Sequence, residues 1–504
     1  MADRPRLGPA WTRRQVLLAG SAGAALALNA CSGSAEKTPV VRPGAPFAQP
    51  EVLSSSDGRL EVTLTARAGM VPHGDGTRFA YTYNGTTPGP TLRVRPGDTL
   101  VITLVNRLDE PTNLHTHGLH VSPEGDSDNV FVAIEPGQSR TYTYVLPEHH
   151  RSSMCWYHPH HHGTVAPQLG GGLYGAIIVE DGIDQLPEIA GATERVFLLS
   201  DPTVGADRSV LDVSDMNVMW GREGDAALVN GLHRPALAAT AGTLERWRVL
   251  NASPSRYYRL ALDGHRLQVI GADGSRLASP EAFDDLLLTP GERIEVLVAP
   301  AEAGSFSFRT RGYDRGSPGM GGGRMGGRSS ASADGQELAT MVVTGSATPA
   351  ALPTRLLAAA DLDAGVAGSE RPIELAMGMG GGNGGMGGGM GGGGGGMMSF
   401  SINGESFDHE RINITARAGE TEDWVITNTS SMDHPFHLHA WPFRVISRTS
   451  GPPDVAGWKD TVNVPAKSSV TVRVPFTDIT GRTVYHCHIL DHEDHGMMGI
   501  IEVR

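Results

Sequence analysis

The chain holds only three cysteines in 504 residues: Cys31, Cys155 and Cys487. That is too few for a disulfide-built scaffold, and no internal bridge is expected. It has no block of lysines and arginines. With the first 30 residues set aside, 37 basic groups face 54 acidic ones, a net charge of −17. Nucleic acid is therefore not expected as a partner. The small and apolar run that ends at Ala30 is about 15 residues, short of the roughly 20 that a membrane-spanning helix needs. A strict third-residue glycine period is also missing, which excludes collagen.

Glycine, by contrast, is abundant, at 66 residues. Two windows, 312–328 and 376–398, hold 23 of them. The remainder is ordinary for a loop-rich β protein, and apolar residues make up 39% of the chain, so disorder of the whole chain is excluded. The glycine strings are not phosphate loops, because no Lys-Ser/Thr follows them.

Residues 12–18, Thr-Arg-Arg-Gln-Val-Leu-Leu, precede a small and apolar run ending at Ala30. This resembles a twin-arginine export signal, used for proteins translocated already folded. Leu28-Asn29-Ala30-Cys31 resembles a lipoprotein cleavage box, which makes a lipid anchor at Cys31 one reading and plain cleavage nearby the other. Either way the expected location is outside the cytoplasm: the periplasm or the cell surface. Residues 1–31 are read as the signal and 32–46 as a linker.

Three repeats follow. An Asn-Gly pair recurs at Asn84-Gly85, Asn230-Gly231 and Asn403-Gly404. After each, a glycine is followed nine residues later by an asparagine: Gly97/Asn106, Gly242/Asn251 and Gly419/Asn428. A proline-bounded strand recurs as Pro136–Pro147, Pro290–Pro300 and Pro465–Pro475. Short alternating strands spaced by such turns predict three consecutive β-sandwich domains, over 47–187, 188–350 and 351–504. The repeat starts lie 146 and 173 residues apart, so the second glycine window reads as an insertion.

Counting from these landmarks places the histidines. Nine and eleven residues after Asn106 stand His115 and His117; the same offsets from Asn428 give His437 and His439. Eleven and thirteen residues after the second prolines stand His158 and His160, and His486 and His488. The middle repeat has Leu260, Leu262, Arg311 and Tyr313 instead. On a strand, each His-X-His aims both imidazoles at one face. Eight imidazoles from two related domains then converge on a metal cluster, and imidazole suits copper, zinc, iron and nickel. The third repeat alone adds His434, Cys487, His492 and Met497, a His₂Cys set with an axial methionine, which is the signature of one blue copper. Cys487 points to the opposite side of its strand from His486 and His488, so one short segment joins the two sites.

His115-Thr-His117-Gly, Trp156-Tyr-His158-Pro-His160, His434-Pro-Phe-His437-Leu-His439 and His486-Cys-His488-(x)₃-His492-(x)₄-Met497 resemble the four copper motifs of the multicopper oxidases, of the three-domain cuprous oxidase and laccase-like branch. The resemblance spans essentially the whole mature chain. It implies three cupredoxin-like Greek-key domains, all β, and four copper ions. His434, Cys487, His492 and Met497 would hold the type 1 ion, and His115 and His437 the type 2 ion. His117, His158, His160, His439, His486 and His488 would hold the type 3 pair. Single electrons from a reductant would pass through Cys487 to the cluster, where O₂ becomes water. Glu493 and Asp128 resemble the family's proton-relay acids, with Asp126 as rival for the second role. His161, His162 and His495 fall outside the repeat register, and Cys155 reads as a small buried residue.

The windows also carry methionines: Met320 and Met325 in the first, and Met377, Met379, Met386, Met390, Met397 and Met398 in the second. Thioether sulfur favours Cu(I). With Met432 beside the blue copper motif, this points to Cu(I) as the reductant oxidised in copper tolerance, and the windows otherwise serve as a flexible cover. A laccase-like oxidase of phenols or aromatic amines is the alternative, and a non-catalytic copper-binding protein the third reading. A monomer is expected.

Overall fold

Alternation builds the strands as the pattern requires. Thr421–Asn428 buries every second residue and pairs antiparallel with Ser468–Pro475, buried side facing buried side. The computed structural model describes residues 44–73, 76–180, 182–203, 214–224, 226–317, 335–356, 363–379 and 398–504. The expectations for the export signal, Cys31 and most of the linker lie outside the described residues, as do Met320, Met325, Met386, Met390 and Met397.

Among the described residues the strands form six sheets. A five-stranded and a four-stranded sheet come from strands between Val52–Ser54 and Gly175–Val179. A six-stranded and a five-stranded sheet follow up to Gln336–Thr344, and two five-stranded sheets complete the chain. Each pair encloses its own apolar core. The cores of the second and third sandwiches each hold a fully buried tryptophan, Trp247 and Trp424. Each donates its indole N–H to the carboxylate two residues earlier, Glu245 at 3.2 Å and Glu422 at 2.8 Å. The fold is all-β and cupredoxin-like.

The repeat landmarks have physical reasons. Asn84, Asn230 and Asn403 adopt φ of +53°, +51° and +54°, and each is followed by a glycine at positive φ. Asn-Gly is the pair that closes a two-residue hairpin turn of this hand at least cost. Asn106, Asn251 and Asn428 are fully or almost fully buried. Each side chain donates to two carbonyls, one in the next turn and one on a neighbouring segment: Glu110 and Ile134, Arg256 and Leu288, Met432 and Val464. Each also accepts the N–H two residues on, from Leu108, Ser253 and Ser430. One buried amide thus fixes the loop that opens onto each His-X-His or its counterpart.

The second glycine window begins and ends in regular structure. Met377↔Phe400 and Met379↔Met398 are register pairs of a hairpin, so its inserted part is 380–397. Where the first and third sandwiches meet, Asp494 of the third accepts the N–H groups of Gly163, Val165 and Ala166 at 2.8, 3.2 and 2.8 Å, capping the helix Val165–Gly171 of the first.

Candidate metal centre

The strand His115–His117 pairs with Ser153–His158 so that His115 faces His158. In the third sandwich, His434–Leu438 pairs with Gly481–Cys487 so that His437 faces His486. The two ladders meet ring to ring: His115 stacks on His439 and His117 on His437, each with centroids 3.8 Å apart. All eight histidines are at most 2% exposed.

Four of them, His115, His117, His158 and His437, have one ring nitrogen held and the other without a partner. His115 Nδ1 donates to Asp128 at 2.9 Å, His437 Nδ1 to the Asp460 carbonyl at 2.8 Å, and His158 Nδ1 to the Pro159 carbonyl at 2.9 Å. The opposite Nε2 atoms of these three have no hydrogen-bond partner. His117 is reversed: its Nε2 meets Asp460 Oδ1 at 2.8 Å, and Nδ1 has no partner. Neither ring nitrogen of His488 has one. Nε2 of His486 lies 3.2 Å from that of His160 and 3.1 Å from that of His439.

Burial pushes all these histidines below their ordinary pKa, His437 to about 4, and for the other seven neighbouring imidazoles reinforce it. They are neutral, with lone pairs turned inward. A buried polar atom without a partner costs about 1–3 kcal/mol, so several converging in one place fit bound metal ions, copper among those that imidazole suits. Donor atoms of His160, His439 and His486 lie within 4.8 Å of one another, as do those of His115, His117 and His158 and those of His115, His437 and His439, while the rings of His117, His158 and His488 have centroids 5.2 to 6.0 Å apart.

The second site lies on the other side of the Cys487 strand. Cys487 Sγ is 3.4 Å from His434 Nδ1 and 3.8 Å from His492 Nδ1, and the two nitrogens are 3.3 Å apart. Met497, fully buried in the same core, accepts the Cys487 N–H at its carbonyl at 3.0 Å. The remaining nitrogens are occupied, His434 Nε2 donating to Ser430 Oγ at 2.8 Å and His492 Nε2 to the Met219 carbonyl at 3.2 Å. Burial pushes the Cys487 thiol well above its ordinary range. A cation is needed to hold it as thiolate, which a type 1 copper does.

Of the candidate acids, Glu493 is fully buried between the rings of one trio, its oxygens 3.1 Å from His486 Nδ1 and 3.4 Å from His160 Nε2. Burial raises its pKa well above the carboxylate range. Asp128 is 2% exposed and accepts from Thr116 as well as His115; burial outweighs these bonds and raises its pKa to about 7. Asp126 instead sits at the surface, paired with Arg140 at 2.8 Å.

Met432 is fully buried in the core of the third sandwich, and Met377 is partly buried against it. Met379 and Met398 are placed by backbone only, in the hairpin. His161, His162 and His495 belong to none of the metal-holding groups among the described residues. Cys155 is buried beside Ser153.

Sequence reasoning missed Asp460 and Arg293. Asp460 contacts His117 by its carboxylate and His437 by its carbonyl, and Arg293 grips that carboxylate at 2.6 and 2.7 Å. Neither lies at a repeat offset from the histidines. The one signal is the charged pair Lys459-Asp460 opening an otherwise strand-like Thr461–Val464.

Family models described as multicopper oxidase match residues 65–183, 194–344 and 390–504. The multicopper oxidase mco of Staphylococcus haemolyticus (strain JCSC1435) is 29% identical over 468 residues, 90% of this chain and 91% of its own. The cell division protein FtsP of Dickeya dadantii (strain 3937) is 29% identical over 472 residues, again 90% and 91%. Among solved structures, a multicopper oxidase from Campylobacter jejuni, a metallo-oxidase, superposes with a TM-score of 0.79 at 28% identity, over 92% of this chain and 96% of that one.

Proposed function

The chain belongs to the multicopper oxidase family, and from that premise we propose an oxidase that takes single electrons at a type 1 copper and reduces O₂ to water at a three-copper cluster, with Cu(I) as its reductant. Bound copper would supply all of the electron chemistry. The chain supplies the rest. Cys487 joins the His434/Cys487/His492 site to His486 and His488 through its own backbone. The buried walls exclude water from both sites, and Glu493 and Asp128 hold protons at the two ends of the cluster.

One observation carries the choice of reductant. Both type 1 histidines are fully buried, and the His492 edge is covered by the helix Asp215–Trp220 through the Met219 carbonyl. An aromatic ring has no face of either imidazole to rest on, whereas a metal ion needs only a small polar approach. The C. jejuni metallo-oxidase is consistent with this, and the methionines of the 380–397 segment supply the soft ligands that Cu(I) favours. Oxidation of phenols or aromatic amines is the second reading, favoured by the machinery common to both.

Steady-state oxidation of Cu(I) and of a phenol separates the two, measured on the full chain and on one with residues 380–397 replaced by a two-residue turn. Cu(I) turnover is expected to fall on replacement while phenol oxidation stays slow. Intact Cu(I) turnover with faster phenol oxidation makes the segment a cover and sinks the recruiting role. The FtsP relatives raise a non-catalytic role, against which stands the retention of all twelve donor side chains. Copper-loaded protein that consumes no O₂ with any reductant would overturn the oxidase reading. We also infer export by the twin-arginine route and work outside the cytoplasm, from residues 12–30, with Cys31 as the candidate lipid attachment point.

A further inference from the structure

The second sandwich contributes none of the twelve donors, yet one of its turns reaches the cluster. Thr289-Pro290-Gly291-Glu292 has proline at its second position and glycine at its third, with φ of +83° at Gly291, the sequence that a type II turn demands. The Glu292 N–H closes it on the Thr289 carbonyl at 3.1 Å, and the Glu292 carboxylate accepts from Thr289 N and Oγ1 at 2.7 and 2.8 Å.

The turn touches the cluster at two places. A Cβ at Gly291 would lie 2.7 Å from Cδ2 and Nε2 of His488, so the bare backbone is pressed against that ring. Two residues on, Arg293 donates its fork to both oxygens of Asp460, whose Oδ1 also meets His117 Nε2. The same guanidinium donates through Nε to the Met154 carbonyl at 2.8 Å, in the strand that ends at His158. The rings of His117, His158 and His488 neighbour one another, with centroids 5.2 to 6.0 Å apart, and the donor assignment gives all three to the type 3 pair. The trio His160, His439 and His486 has Glu493 beside it instead.

Arg293 and Asp460 are buried and anchored from behind. Asp273 accepts the Arg293 N–H at 2.7 Å and pairs with Lys459 at 3.0 Å, which in turn pairs with Glu292 at 2.9 Å. A Cβ at Gly118 would fall on Arg293 Nη2, so the glycine that follows His117 leaves the room this guanidinium fills.

We propose that the donor-free second sandwich sets one half of the type 3 pair. Arg293 is a positioning residue: it fixes Asp460, which keeps the His117 proton on Nε2 and turns Nδ1 toward the metal, while Gly291 sets the plane of His488. The proposal rests on the donor assignment above and concerns one metal position within it.

The test uses copper-loaded full-length protein carrying Arg293→Lys, which keeps the charge and loses the fork, Asp460→Asn, which keeps the size and loses the charge, or Gly291→Ala. Copper per chain, the blue absorption, the near-ultraviolet absorption of the coupled pair and the electron paramagnetic resonance spectrum are measured. All three variants are expected to keep the blue absorption while binding copper at the affected position about 10- to 100-fold more weakly, the usual effect of losing a residue that orients a metal-bound histidine. The near-ultraviolet absorption then falls, and the surviving partner ion, no longer coupled, adds a resonance signal. Full copper content with an unchanged near-ultraviolet band overturns the proposal. So does a parallel loss of blue and cluster copper, which marks these residues as general scaffold. Unaltered protein that binds no copper would defeat the donor assignment itself, a distinct outcome.

Discussion

Glu493 places a carboxylate oxygen 3.1 Å from Nδ1 of His486, and both side chains are fully buried. The short helix Leu490–Asp494 holds it there, and neither oxygen of Glu493 accepts a well-directed hydrogen bond. Burial thus favours the protonated form of this carboxyl, which is aimed at the cluster, the state needed to deliver a proton.

Replacing it isosterically separates proton delivery from packing. Glu493→Gln is expected to leave copper content and blue absorption unchanged and to lower turnover about 100-fold or more, the usual worth of a positioned acid. The solvent isotope effect on turnover should rise in parallel. Unchanged turnover would make Glu493 a packing residue.

Asp128 gives a pH dependence. Burial raises its carboxyl from 3.8 to about 7, so the folded chain keeps a proton that the unfolded chain gives up between those values. Its contribution favours the fold at the acid end of that window and fades as pH rises through it. As a proton donor it should add a limb on which turnover falls as pH rises past about 7. Asp128→Asn should lose that limb and be slower below it. A pH–rate profile for the variant that keeps the same shape would assign the limb elsewhere.

Ser430 tunes the blue site without holding the metal. Its hydroxyl accepts from His434 Nε2 at 2.8 Å, which raises the basicity of the donating ring. Ser430→Ala removes that acceptor and should raise the type 1 reduction potential by an amount of the order of 59 mV, one tenfold change for a single electron. Redox titration of the blue absorption measures it, and a fall in potential would contradict the assignment of Ser430 as acceptor.

The donors were legible because they inherit the repeat: His115 and His437 sit at the same offset from Asn106 and Asn428, and that asparagine shapes the loop before both. Asp460 and Arg293 were not, because each acts across a boundary between sandwiches, where sequence offsets within one repeat carry no information. Met432 shows the same limit: its place beside His434 was legible, but its burial and the backbone bridge Gly316↔Met432 from the second sandwich were not.

The buried asparagines make the strongest stability prediction. Asn251 lies in the second sandwich, which supplies none of the donors, and its amide serves Arg256, Leu288 and Ser253 at 2.7, 3.1 and 3.0 Å. Asn251→Ala leaves three buried backbone groups unpaired, each costing about 1–3 kcal/mol. The expected loss is roughly 3 kcal/mol or more in chemical denaturation, with the blue absorption of the surviving folded protein unaltered. Asn428→Ala should cost as much and also disturb the blue site, because it frees the Met432 carbonyl and the Ser430 N–H beside His434. Equal stability loss with a spectral change in Asn428→Ala alone is the pattern that three repeats sharing one buried amide require.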